Sequence, residues 1–423
     1  MSSNPQKSRD KLWDNSSYRW WFGADTSYEL SNSIVLFAIP LLVVAATASP
    51  GLAATASSGF ILISTIIGIA GGVVQDRYDR KFLMQLNGAI AAILLIVTGI
   101  LISHFGLRPE FVAGLTALLA IQKGLLGNTS NAMLRGVVSD EQLPQATSAN
   151  IARDSTLHIV GGPIGGFLLH VNHSIALIVS SLFCIISTLL TRKVKDYWKP
   201  SEDTSGARAQ FRTAFMGLWW LVSNSFQRRF ILTASIATAA GNAFLLLTVL
   251  EISRTTSSTV TAGMVNSAAA AGMFCGALAA TWLINRVRSG LLVALMFLTM
   301  STGLFVSALA PALWVKLVFV PIALVLLPAG SAVLSSFFSI LVRKENLGRY
   351  SAGHDLVTYL TLAIITFGAG WGMDAWGYRT ASLAIGLLLL VSAASALTLK
   401  TLVTMPKPES WGNHIAENNI AQL

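Results

Sequence analysis

Charge is scarce in this chain. Only 11% of its 423 residues are charged and 53% are hydrophobic, whereas soluble domains carry about 25% charged residues. One water-soluble core cannot bury that much apolar surface. The composition therefore excludes a soluble enzyme and assigns the surplus to a bilayer. Long polar stretches are missing too, which excludes a separate extramembrane domain. Cysteine is almost absent. Cys184 and Cys275 both fall inside apolar runs, which excludes a disulfide framework and a CxxC metal or redox site. There is no Walker loop, no HExxH helix and no Ser-His-Asp set outside the apolar runs, so neither ATP hydrolysis nor enzymatic catalysis is expected. No cofactor or metal is expected either. Residues 1–17 are polar and no A-x-A-like site follows them, so a cleavable signal peptide is not expected.

Apolar runs fill the rest. They lie near 19–46, 55–75, 83–104, 110–134, 147–170 and 174–191, then near 229–252, 260–285, 290–309, 312–336, 351–373 and 379–402. A helix crosses a bilayer in about 20 residues. The expected fold is an all-α integral membrane protein with twelve spans. Its predicted parts are an N-terminal six-helix bundle with its tail (1–191), a linker (192–228), a C-terminal six-helix bundle (229–402) and a second tail (403–423). The linker holds an amphipathic, aromatic segment, Phe211 to Trp220, expected to lie in the membrane interface. The net charge of +10 is spread over alternate short loops, which marks topology rather than nucleic-acid binding. Arg77, Arg80, Lys81, Arg135, Arg286, Arg288 and Lys407 share one side with the N-terminal tail and the linker. The other side has little beyond Arg108, Arg254 and Arg379. Both termini are therefore expected in the cytoplasm.

The two halves echo each other. Glu141-Gln142-Leu143 and Glu345-Asn346-Leu347 are 204 residues apart, and the same offset takes Gly72 to Gly276. Two anchors at one offset support a duplication.

The loop after the second run carries Gly72, Asp76, Arg77, Arg80 and Lys81. It resembles the G-x-x-x-D-R-x-G-R-[RK] motif of the major facilitator superfamily, with Asp79 in place of the second glycine. The fifth run contains Gly161-Gly162-Pro163-Ile164-Gly165-Gly166. That looks like the G-P-x-x-G-G element of the drug/proton antiporter branch, with Phe167 where a last glycine would stand. Leu347-Gly348-Arg349, Glu141 to Ala146, and Ala38-Ile39-Pro40-Leu41 resemble a group of enterobactin-type siderophore exporters and macrolide-efflux proteins. The resemblance implies two pseudo-symmetric six-helix bundles that alternate access to a central cavity. It implies a multi-pass monomer in the bacterial inner membrane, exporting a small amphipathic compound (drug, antibiotic or siderophore) by proton antiport. The expected partners are that small molecule, protons and the bilayer, and not nucleic acid. An uptake symporter on the same fold and a non-transporting receptor are the alternatives. By the same resemblance Gly72 permits close helix approach, and Asp76, Arg77, Arg80 and Lys81 latch one conformational state. Topology alone would account for the basic residues, but not for Asp76. The glycine element is either exporter-specific or a general packing face.

Ionisable groups inside apolar runs are functional candidates by default. Asp25 and Glu29 are one helical turn apart in the first run, so they share a face. If that helix begins near Arg19, Glu29 lies deep in the bilayer and either acid can serve as a proton site. If it begins near Leu30, both are interfacial. Asp154 and His158 are also one turn apart and read either as a proton path or as an interfacial ion pair. Lys123 is deep enough to need a partner, and Ala120 stands where the antiporter branch has an arginine. Asn32, Asn242, Asn266 and Tyr359 are candidate cavity donors, with interhelical hydrogen bonding as the other reading. Trp20, Trp21, Trp314 and Trp376 are expected as interfacial anchors.

Overall fold

The computed structural model describes residues 12–139, 141–195, 197, 225–256, 258–310, 312–341, 347–398 and 404–411. The predicted interfacial segment Phe211 to Trp220, Glu345-Asn346, and the side chains of Asp76 and Arg349 lie outside the described part. Every regular element among the described residues is a helix. The first seven are α1 Ser16–Thr47, α2 Pro50–Arg77, α3 Arg80–Phe105, α4 Pro109–Leu126, α5 Thr129–Val137, α6 Leu143–Val171 and α7 His173–Arg192. The rest are α8 Ser225–Thr256, α9 Thr259–Arg286, α10 Ser289–Leu309, α11 Leu313–Leu324, α12 Leu327–Leu341 and α13 Leu347–Thr398.

Short polar residues set the helix starts, because the first N–H groups of a helix lack internal partners. Asn15 accepts from the N–H groups of Ser17 and Tyr18 and so opens α1. Asp79 does the same for Lys81 and Phe82 at α3. Asn172 opens α7 and Ser258 opens α9.

Among the described residues, ten helical segments are long and apolar enough to cross a membrane. One is α4 with α5, and another is α11 with α12. The last, Gly353–Ala396, has 44 residues, about twice what one crossing needs. Gly377 breaks it at φ +80°, a conformation that costs glycine little. Taken as two crossings, and with α6 added, the helices come to twelve.

The chain divides into two compact units. Unit one is Met1–Ala48 with Gly59–Ala209, and unit two is Ser49–Ser58 with Gln210–Leu423. In unit one, α1 packs on α6 and α7, and α3 packs on α7 and α4. In unit two, α8 packs on α13, α9 on α11, and α10 on both α11 and α13. Asp374 holds Ser49–Ser58 within unit two. It accepts from the Gly51 N–H at 2.8 Å and from the Ser49 hydroxyl, while Trp371 Nε1 donates to Thr55 Oγ1 at 3.1 Å.

Candidate proton and substrate site

The site is built on α1. That helix begins at Ser16, so it follows the longer of the two readings. At 1.5 Å per residue, Asp25 and Glu29 lie about 14 and 20 Å along it. Aromatic packing fixes the helix start. Tyr18 and Trp21 are fully buried in a cluster with Leu12, Met133 and Val194. Trp21 Nε1 donates to the Ser130 carbonyl at 3.2 Å. Trp21 is therefore a core residue, which corrects its expected place at the interface: the Ser130 carbonyl gives its N–H a partner inside the protein. Trp20 is partly exposed under Lys193, and Trp314 and Trp376 are exposed.

Asp25 is 4% exposed and faces α6. Its Oδ2 lies 2.7 Å from Arg153 Nη2, and Arg153 is itself 9% exposed. The same guanidinium reaches Asp154 Oδ1 at 2.8 Å and lies 5.2 Å from the Phe22 ring centre. Arg153 thus bridges two carboxylates, one buried and one half-exposed. Asp154 turns to Arg153, and His158 is exposed. The antiporter-like glycines make this pairing possible. A Cβ at Gly161 would collide with Ser33 on α1, and one at Gly165 would press on Phe37. The two backbones therefore run close, and Ser33 Oγ donates to the Leu157 carbonyl at 3.1 Å. Gly162 and Gly166 are buried, and Pro163 is half-buried in α6.

One turn along α1, Glu29 faces α4. Lys123 Nζ is 3.9 Å from Glu29 Oε1, and Asn32 Nδ2 donates to Glu29 Oε2 at 3.0 Å. Both ends of the ion pair are about one-third exposed. A neutral layer lies beside it. Gln122 Nε2 donates to the Tyr28 hydroxyl at 3.0 Å and also contacts the Asn87 carbonyl and side-chain oxygens. Cys184 Sγ donates to Ser31 Oγ. Tyr28, Asn32, Gln122, Lys123 and Cys184 line a cavity of about 20 Å³, enough for about one water molecule. Unit one thus contains two acids on one apolar helix, each paired with a cation from another helix, and Lys123 of the second pair lines a small, mostly apolar cavity.

The sequence matches the Major Facilitator Superfamily profile over residues 24–353. The chain belongs to the major facilitator superfamily. It is a transporter and not an enzyme. No curated protein matches it by sequence. Among solved structures it resembles a mutant of the nucleoside transporter NupG, with a TM-score of 0.70, 14% identity, and coverage of 90% of this chain and all of that one. The xylose transporter XylE from E. coli has a TM-score of 0.70 at 12% identity, covering 95% and 99%. A bacterial homologue of the human lysosomal transporter Spinster has 0.68 at 13%, covering 93% and 97%. At such identities the likeness is one of fold.

The superfamily loop motif ties helices of unit one together. Arg80 Nη1 donates to the Ala132 carbonyl at 2.8 Å, and Lys81 Nζ to the Val194 carbonyl at 2.6 Å. Arg77 is exposed. Asp79, the departure from the motif, caps α3 and accepts from the Tyr197 hydroxyl. Burial, and the Asp79 carboxylate beside it, raise the Tyr197 phenol above its ordinary range, so it stays a donor. Near the end of α2 a close approach is made at Gly71, where a Cβ would strike the Gly124 carbonyl on α4. Gly276 meets Val325 in unit two in the same way.

Other candidates are scattered. Asn242 Nδ2 donates to the Thr238 carbonyl of its own helix at 2.9 Å, Asn266 is half-buried, and Tyr359 is exposed. Two charges near span ends in unit two passed unnoticed in the sequence. Lys316 is 5% exposed with Nζ 4.4 Å from the Tyr378 ring centre, and it feels the charge of Glu251. The Tyr378 and Thr248 hydroxyls are 3.1 Å apart. Their signal was charge inside an apolar run, the same signal that revealed Asp25.

Proposed function

We propose that this transporter is proton-coupled and exports a small amphipathic organic compound from the cytoplasm of a bacterium, with both termini on the cytoplasmic side. The observation that carries this reading is the pairing of Asp25 with Arg153 and of Glu29 with Lys123, one turn apart on α1. Charge at such depth is costly, about 2.5–3.5 kcal/mol per residue on insertion scales, and pairing offsets the cost only while both partners are charged. A proton on either carboxylate removes its attraction for the cation, and equally for a cationic or hydrogen-bond-donating group of the substrate. Loss of the proton restores a negative site at Glu29, about one-third exposed beside Lys123, to which such a group can bind. Proton and substrate thus compete for one carboxylate, which is the requirement for exchange. One proton crossing 100 mV releases about 2.3 kcal/mol, enough for a roughly 50-fold gradient.

Export is favoured over uptake by the likeness of Gly161–Gly166 and Leu347-Gly348-Arg349 to exporter elements. The second reading is a proton-coupled uptake symporter, a reading supported by a fold shared with a D-xylose-proton symporter at 14% identity and a TM-score of 0.62. A panel of antibiotics, dyes and siderophores in a pump-deficient strain finds the substrate. Flux in inverted vesicles then decides direction: an exporter accumulates the compound inside them and a symporter does not. Glu29→Gln and Asp25→Asn are each expected to uncouple flux from the proton gradient. If the single variants and the double variant all transport like the parent, the carboxylates are not the coupling site.

A further inference from the structure

Unit two contains a groove of about 280 Å³ between α10 and α13. Small residues open it: Gly290 and Ala294 on α10, and Ala393 and Ala394 on α13. Leu298 and Leu390 form part of its wall and are 60% and 41% exposed, so the groove opens onto the membrane-facing surface of these helices. Along α10 it runs from Gly290 to Ser301. At 1.5 Å per residue that is about 16 Å, close to one leaflet of a roughly 30 Å hydrocarbon core.

Its shallow end is basic. Arg288 is the N-cap residue of α10, two positions before Gly290. The segment after α13 folds back to the same place. The Met405 carbonyl accepts from the Gly290 N–H at 3.1 Å, and Trp411 Nε1 donates to Ser289 Oγ at 3.3 Å. This brings Lys407 to the groove's end, and both Lys407 and Arg288 are exposed. Arg286 adds a third positive charge, stacked 5.3 Å over Trp282. Glu409 is the acid among the described residues of this tail segment, so the balance there is positive.

We propose that this groove is a binding site for an anionic phospholipid. One acyl chain lies between α10 and α13, and the headgroup lies against Arg288 and Lys407. The apolar depth matches a chain within one leaflet, and the basic end selects charge: basic residues near a membrane surface attract anionic lipid by about 1 kcal/mol each, or roughly fivefold. The site is separate from the α1 network, and it stands or falls independently of the proposed transport direction.

The test uses the full chain, stripped of lipid in detergent and titrated with phosphatidylglycerol or phosphatidylethanolamine under native mass spectrometry. Phosphatidylglycerol is expected to bind at least about fivefold more tightly. Arg288→Gln with Lys407→Gln should bring it to the level of phosphatidylethanolamine. Ala294→Leu with Ala394→Leu, which fills the groove, should reduce binding of both. If that filled variant does not elute as a single species, the charge variant decides alone, since its residues are exposed. Equal binding of the two lipids to the parent, or phosphatidylglycerol binding unaltered by the charge variant, overturns the proposal. So does unaltered binding in a folded groove-filled variant.

Discussion

Arg153 links two carboxylates inside a membrane-spanning unit, and the consequences differ on its two sides. Its contact with Asp25 is buried at both ends, whereas Asp154 is 44% exposed at its side chain. Removing one member of a buried pair leaves the other charged without compensation, at about 3–5 kcal/mol. Arg153→Met is therefore expected to destabilise the protein by about that amount. Adding Asp25→Asn to the same chain should recover much of the loss, because the stranded charge is removed with its partner. SDS-titrated unfolding of the single and double variants measures this, and simple additivity would mean the two residues do not interact. The Glu29–Lys123 pair behaves differently. At 3.9 Å and about one-third exposed at both ends, it is looser than the Asp25–Arg153 pair. Lys123→Met should destabilise the protein by less than Arg153→Met does, while altering transport. The two acids were legible in the sequence as charge within an apolar run. Lys123 was legible in the same way, but the pairings were not: Arg153 is 128 positions from Asp25 and reads locally as the neighbour of Asp154.

At the scale of the helix, the glycine run of α6 and the Asp79 cap carry the argument. The Arg153–Asp25 distance depends on how closely α1 and α6 approach, and Gly161 sets that approach at Ser33. Overpacking of a tight contact costs about 1–3 kcal/mol. Gly161→Ala is expected at the upper end of that range, with loss of coupled flux. Gly165→Ala should be milder, because its new methyl would meet the Phe37 ring at 3.0 Å and that ring can turn. Equal effects of the two substitutions would argue against this account. Asp79→Ala should cost about 1 kcal/mol through loss of the α3 cap, whereas Asp79→Gly should cost only a few tenths. Both remove the acceptor of the Tyr197 hydroxyl. Limited proteolysis should then cut at Tyr197 itself faster in both variants. An unchanged cutting rate would mean that this hydrogen bond does not hold Tyr197. The motif read from sequence marked Asp79 as a departure, and the fold gives that departure a role as cap and anchor.

For the whole molecule, the distribution of basic residues sets the expected topology, with both termini in the cytoplasm. A tag at either terminus should be accessible in inverted vesicles and protected in intact cells. Accessibility of one terminus from outside would demand an odd number of crossings and overturn the twelve-span reading. The structure agrees with the count at its least obvious point. Gly377 divides a 44-residue apolar helix in two, between the runs 351–373 and 379–402 that Asp374 to Tyr378 already separate in the sequence.

Composition alone determined that this is a polytopic membrane protein, since 53% hydrophobic and 11% charged residues leave water no role as the main solvent of the fold. Apolar run length set the number of helices, loop charge their expected orientation, and the short motifs the superfamily. All of these are local properties, written within a few tens of residues. Tertiary structure decided which charges meet. Asp25 pairs with Arg153 and Glu29 with Lys123 because α1 lies against α6 on one side and near α4 on the other. It also decided that Trp21 is core and that Gly71 lies against the Gly124 carbonyl of α4. Such pairings depend on how helices far apart in sequence rotate and approach, and hydrophobic periodicity does not encode that in a chain that is apolar on nearly every face.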